Sequence, residues 1–147
     1  MAALLYFGLK FAAYTAWCYL GLHKFRPQSK PPIAGAVAYG FLRLFLGFFF
    51  GVLIWLLSSS LMSQLGYGFS QNVVTYVLVY VPVRWVEWTI MAMIMVPGSH
   101  AFFSRWAVGT SRNDRLWRLG GIAISCAADI PLIMDLGGVI PVGRFLC

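Results

Sequence analysis

Acidic side chains are scarce in this sequence: four Asp and Glu in 147 residues, so that charged residues of both signs make up only 10% of the chain. Ordinary globular domains carry about a quarter. Beside 61% hydrophobic residues and a mean hydropathy of +0.80, that scarcity excludes a soluble domain of the usual kind. One core could not hide so much apolar surface. Long polar stretches, low-complexity tails and flexible linkers are lacking as well, which predicts a single membrane domain over 1–147 with no extramembrane module.

Other absences narrow the chemistry. The three cysteines, Cys18, Cys126 and Cys147, form no CxxC and no Cys/His cluster, and their odd number leaves no closed disulfide framework. Cys18 and Cys126 fall in apolar runs, where a thiol is a small hydrophobe, and the residues before Cys147 make no prenylation box. The two histidines, His23 and His100, sit among loop residues at the ends of apolar runs, poorly placed to face each other across a haem. No HExxH, Walker loop or GxSxG occurs. The sequence therefore predicts no metal and no cofactor. Ser58–Ser60 reads as a polar cluster at a helix end, since no histidine lies near it to activate a nucleophile. Residues 1–22 lack a basic leader and a small-residue cleavage site and carry Lys10 in their middle, so they read as a retained helix and not a signal peptide.

What is present is a set of long apolar runs. Their bounds are about 1–22, 33–62, 73–97 and 119–142. A helix of ~20 apolar residues crosses the ~30 Å hydrocarbon core of a bilayer. The expectation is an all-α protein, an integral membrane bundle of four transmembrane helices with short loops and antiparallel neighbours. Within the third connection, AFFSRWAVG is either a short interfacial helix or a loop with aromatic anchors.

The connections fix the direction. Lys24, Arg26, Lys30, Arg105, Arg112, Arg115 and Arg118 lie in the first and third connections, while the other side holds only Arg144. Basic loops face the cytoplasm, so both termini are expected on the non-cytoplasmic side, with a bacterial inner (plasma) membrane as the expected location and a eukaryotic endomembrane as the alternative. The net charge of +7 then reflects orientation and anionic lipid headgroups, not nucleic acid.

Against this apolar background six charges stand inside the runs: Lys10, Arg43, Arg84, Glu87, Asp129 and Asp135. Each unpaired charge at mid-bilayer costs ~2.5–3.5 kcal/mol or more. Counted from the cytoplasmic end of each run at ~1.5 Å per residue, Lys10 lies ~18 Å deep, Arg43, Glu87 and Asp129 ~15 Å, and Arg84 ~20 Å. Five charges from four helices thus share one layer, with Asp135 further out. Helical spacing gives them a common inward direction. Gly40, Arg43, Gly47 and Gly51 share a face, and Gly47–Gly51 is a GxxxG that lets helices approach closely. Tyr6, Lys10, Tyr14 and Trp17 align in the first run, Tyr76, Tyr80, Arg84 and Glu87 in the third, and Ser125 and Asp129 in the fourth. Pro82 predicts a kink before the third run's charges, and Pro131 a break just beyond Asp129.

The layer has two readings. Its charges are buried ion pairs that fix which helix meets which, or they form a substrate, proton or ion site. The corresponding functions are a non-catalytic subunit or assembly partner in a larger membrane complex, or a small transporter or lipid-handling protein. In the second, Arg43 and Arg84 hold an anionic substrate or headgroup and Glu87 or Asp129 carries protons. An enzyme acting on lipid would need a nucleophile or metal that the sequence does not offer. The partners expected are membrane lipids, chiefly anionic ones, and other membrane subunits or a second copy of the chain.

The orientation has a direct test. A cysteine introduced within 63–72 should react with a membrane-impermeant maleimide added from outside, and one within 112–118 should stay protected. The reverse pattern would invert every depth given above.

Overall fold

The computed structural model describes residues 2–25, 33–65, 73–95 and 111–135. These form four helices and, among the described residues, no strand: α1 (Ala2–Phe25), α2 (Ile33–Leu65), α3 (Val73–Met95) and α4 (Arg112–Asp135). The all-helical expectation holds. Of the four spans expected, two helices, Ile33–Gln64 and Val73–Met95, are long and apolar enough to cross a membrane.

Several boundaries differ from the sequence reading. α1 runs on to Phe25, so His23 and Lys24 belong to its last turn, where basic groups complement the helix dipole. α2 continues past residue 62 to Leu65, which makes Ser58 a buried residue within the helix and not part of its end. The largest correction is α4. It starts at Arg112, not near Leu119, and it passes through Pro131 without breaking. The start is set by Ser111, whose hydroxyl accepts the Asp114 amide at 3.2 Å while its carbonyl accepts the Arg115 amide at 3.1 Å. This is the Ser-x-x-Asp pattern of a helix N-cap. The aromatic stretch AFFSRWAVG, His100, Pro97 and residues 136–142 lie outside the described residues.

In α3 a π-helical segment, Tyr76–Tyr80, precedes Pro82, and the α-helix resumes over Val81–Met95. Pro82 has no amide proton and its ring crowds the carbonyl four residues back. The wider π turn is the local distortion at the place where a kink was expected. Its extra residue per turn also rotates what precedes it, so that Thr75, Val79, Tyr80, Val83, Arg84 and Glu87 are all buried.

The helices pack in cyclic order. α1 lies against α2 and α4, and α3 lies against α2 and α4. Contacts at both ends show that neighbours run antiparallel. Arg43 meets Glu87 while Met62 meets Thr75 across α2 and α3, and Tyr6 meets Asp129 while Trp17 meets Trp117 across α1 and α4. The largest apolar core gathers Tyr14, Cys18, Leu22, Trp88, Met91, Met95 and Trp117. Trp88 is its centre, edge-to-face with Trp117 at 5.1 Å and with Tyr14 at 5.9 Å. Much of the described outer surface is apolar: Leu4, Phe41, Phe45, Leu56 and Leu78 are each more than half exposed.

Small residues let the aromatic rings in. A methyl group built on Gly121 would lie 2.4 Å from the Trp88 indole, and one on Gly120 would lie 2.2 Å from Trp17. On α2, Gly40, Gly47 and Gly51 are buried on the side that carries Arg43, and a methyl on Gly40 would meet the Thr15 hydroxyl at 2.3 Å. Gly8 has open space around it. Gly121→Ala should therefore destabilise the protein by ~1–3 kcal/mol through overpacking, while Gly8→Ala should be neutral or mildly stabilising. Thermal unfolding in detergent measures both; equal midpoints would mean that the Trp88 ring moves aside freely.

Candidate functional site

The buried charges form two connected clusters and one separate pair. In the first cluster, Lys10 on α1 lies 2.7 Å from a carboxylate oxygen of Asp129 on α4. Asp129 also accepts the Tyr6 hydroxyl at 2.6 Å and the Tyr80 hydroxyl at 2.5 Å. One carboxylate thus binds α1, α3 and α4 together. The spacing explains how: Tyr6 and Lys10 are one turn apart on α1, so both reach one acceptor. The Lys10 ammonium also rests 4.7 Å from the centre of the Tyr6 ring.

In the second cluster, Glu87 is the hub. Its Oε2 accepts from Arg84, three residues before it on α3, at 2.6 Å, and from Arg43 of α2. All three side chains are fully buried. Aromatic faces complete the environment of the cations, with the Arg43 guanidinium 4.9 Å from the Tyr14 ring centre and 5.0 Å from that of Trp88, and Arg84 4.7 Å from that of Tyr80. A ring's negative face stabilises a desolvated cation. Tyr80 therefore joins the clusters, its hydroxyl on Asp129 and its ring under Arg84. Among the described residues, Nε and Nη1 of Arg43, Oε1 of Glu87 and the Tyr14 hydroxyl have no hydrogen-bond partner.

The separate pair is one that the sequence reading misplaced. Asp114 and Arg118, assigned there to the third connection, are buried on α4. They form a two-pronged bridge at 2.9 and 2.6 Å, and Arg118 donates further to Thr89 of α3 at 2.7 Å. Thr89 passes the chain on to the Trp85 carbonyl. Asp114 and Asp129 are separated by ~22 Å of helix, so this pair forms a second tier near the start of α4. Its signal was present in the sequence as Ser111-x-x-Asp114 followed by Asp114 and Arg118 at i,i+4 spacing.

Lys10, Arg43, Arg84, Glu87 and Asp129 are thus brought together by all four helices. The side chains of Asp135 and Tyr76 lie outside the described residues, and His23 is exposed. Ser125 lies in this interior too, accepting the Trp88 indole N–H at 3.4 Å and donating to the Gly121 carbonyl at 2.8 Å. Among the described residues, no three His, Cys, Asp or Glu side chains gather to hold a metal ion. The chain matches no family model, no curated protein and no solved structure. Its function has to be argued from this geometry.

Breaking a buried ion pair by removing one partner costs ~3–5 kcal/mol, whereas replacing both partners with neutral groups of similar shape is often neutral. Asp129→Asn should therefore lower the unfolding midpoint strongly, Tyr80→Phe less, and Lys10→Met combined with Asp129→Asn should recover most of the loss. An Asp129→Asn protein that melts like the wild type would show that the Lys10 pair holds nothing together.

Proposed function

We propose that this chain is a small integral membrane protein of four spans, a four-helix bundle with both termini on the non-cytoplasmic side. In this reading it serves as a non-catalytic subunit or assembly partner in a larger membrane complex. One observation carries the proposal: charge lies inside the fold and apolar surface outside it. Lys10, Arg43, Arg84, Glu87, Asp114, Arg118 and Asp129 are buried among the apolar core residues, each described carboxylate there held by a cation, while Leu and Phe side chains are prominent on the outside. A water-soluble fold of this size would place them the other way round, whereas intramembrane charges face a bundle's interior and pair. Orientation follows the basic residues. With Arg118 moved from the connection into the interior, Lys24, Arg26, Lys30, Arg105, Arg112 and Arg115 still oppose Arg144 alone. A bacterial plasma membrane suits this pattern best.

The subunit role is favoured by what the buried charges do. Each cluster has at least one bond that joins helices (Lys10–Asp129, Arg43–Glu87, Arg118–Thr89), and α2, with 33 residues or ~50 Å of helix, carries exposed aromatic rings at Phe41, Phe45, Phe48 and Phe49 toward lipid or a neighbouring subunit. A second reading, transport of an anionic substrate past Arg43 with Glu87 as proton carrier, is favoured by the unpartnered Arg43 N–H groups and Glu87 Oε1.

Two measurements separate these readings. Native mass analysis of the chain drawn from its own membrane in mild detergent should give a stable heteromeric assembly; an isolated monomer or dimer would sink the subunit role. Glu87→Gln should cost folding stability if the network is structural. A variant that folds normally but loses a pH-dependent flux would establish transport instead.

A further inference from the structure

The end of the protein that carries the basic residues holds a groove between α1 and α4. Trp17, Leu20, His23, Lys24, Leu116 and Trp117 line it around a volume of about 580 Å³. Its walls change character along their length. Leu20 and Leu116, each about half exposed, form the deeper part over the indoles of Trp17 and Trp117. One turn nearer the end come His23 and Lys24 on α1, and Arg112 stands one turn before Leu116 on α4, all three exposed.

The floor of this groove is tied together by two reciprocal hydrogen bonds. Trp17 donates its indole N–H to the Trp117 carbonyl at 3.0 Å, and Trp117 returns the bond to the Trp17 carbonyl at 3.3 Å. Both indole donors are therefore spent on backbone, and the rings offer the groove only apolar surface. Gly120 allows this arrangement, since a methyl there would strike the Trp17 ring. Position along the bilayer follows from the helix. Lys24 lies 14 residues beyond Lys10, or ~21 Å of α1. If the Lys10 layer marks the membrane's midplane, Lys24 and Arg112 stand at headgroup depth while Leu20 and Leu116 stand among acyl chains.

We infer that this groove is a binding site for an anionic phospholipid, its phosphodiester held by Lys24 and Arg112 with His23 beside them, and its acyl chain laid between Leu20 and Leu116. Charge complementarity selects the occupant. The groove's exposed ionisable groups are basic, and Asp114, the one acidic side chain near the start of α4, is turned inward onto Arg118. The apolar continuation requires a chain attached to the phosphate, which a free phosphate lacks. Basic side chains at a cytoplasmic leaflet strengthen binding to anionic lipid by roughly fivefold each. The inference rests on the membrane reading above but not on the subunit role.

The test uses the full chain in detergent, exchanged into an equimolar mixture of dioleoylphosphatidylglycerol and dioleoylphosphatidylcholine and analysed by native mass spectrometry. The wild type should retain phosphatidylglycerol with a preference of roughly tenfold or more, undiminished by excess inorganic phosphate. Lys24→Gln with Arg112→Gln should abolish the preference at an unchanged unfolding midpoint. Arg115→Gln removes the same charge from the stripe of α4 that continues into Leu119 and Ile122, which line a separate groove against α3, and should keep most of it. Equal retention of the two lipids by the wild type, or a preference that survives the double substitution, would overturn the site. Release of the chain from its membrane by alkaline carbonate would overturn the membrane reading itself, so the two failures are distinguishable.

Discussion

Glu87 is the constraint on which the arrangement of helices depends. Its carboxylate is fully buried, and a buried carboxylate is tolerable only when cations and hydrogen bonds replace the water it has lost. Arg84 can reach it from the same helix, but Arg43 must come from α2, so α2 is drawn against α3 at one height. Each arginine is then itself a buried cation. Tyr14 of α1 and Trp88 of α3 close over Arg43, and Tyr80 closes over Arg84. Tyr80 in turn is fixed by its hydroxyl on Asp129, which holds Lys10. Starting from one carboxylate, the demand for compensation recruits all four helices.

Bulky compensators need room, and the sequence supplies it beside them. Trp88 can occupy the centre because α4 offers Gly121 where any side chain would collide with its ring. The same holds for Gly120 and Trp17. The buried stripe of α2 alternates the long Arg43 with Gly40, Gly47 and Gly51, so the backbone can come close wherever the guanidinium is not. The π segment of α3 belongs to the same solution. It accommodates Pro82 while bringing Tyr80 and Arg84 inward together, which lets one tyrosine serve both clusters.

Much of this was legible in the sequence, and the failures are instructive. A charge in an apolar run is conspicuous, so Lys10, Arg43, Arg84, Glu87 and Asp129 could be singled out by residue type and aligned by helical spacing. Pairing across helices was not legible, because spacing gives a direction around one helix but no partner on another; Glu87 takes Arg84 from its own helix and Arg43 from α2. The error on α4 has a different cause. RNDRLWR reads as loop by polarity alone, since four of its seven residues are charged, and polarity outweighed the N-cap signal at Ser111. A helix that buries an Asp–Arg pair and exposes Arg112 and Arg115 beside it has the composition of a connection and the periodicity of a helix. Pro131 was misjudged in the same way, by residue type without regard to the helix that carries it.

The network also selects a single register, which an apolar interface alone would not. Sliding α2 by one turn against α3 would set Tyr39 or Gly47 opposite Glu87 and leave Arg43 buried against apolar side chains. Sliding α1 by one turn against α4 would move Lys10 away from Asp129 and bring Tyr6 or Tyr14 to its place. Each slip breaks a buried ion pair, at ~3–5 kcal/mol. A domain's whole net stability is only ~5–15 kcal/mol, so two such losses would consume most of it. Apolar and glycine surfaces, by contrast, change little on a one-turn slip, because Leu, Phe and Gly recur at four-residue intervals along these helices. The ionic layer therefore contributes less to holding the helices together than to forbidding every other way of holding them. In the membrane reading proposed above, that is the property required of a small chain whose outer faces meet lipid or neighbouring subunits at fixed heights.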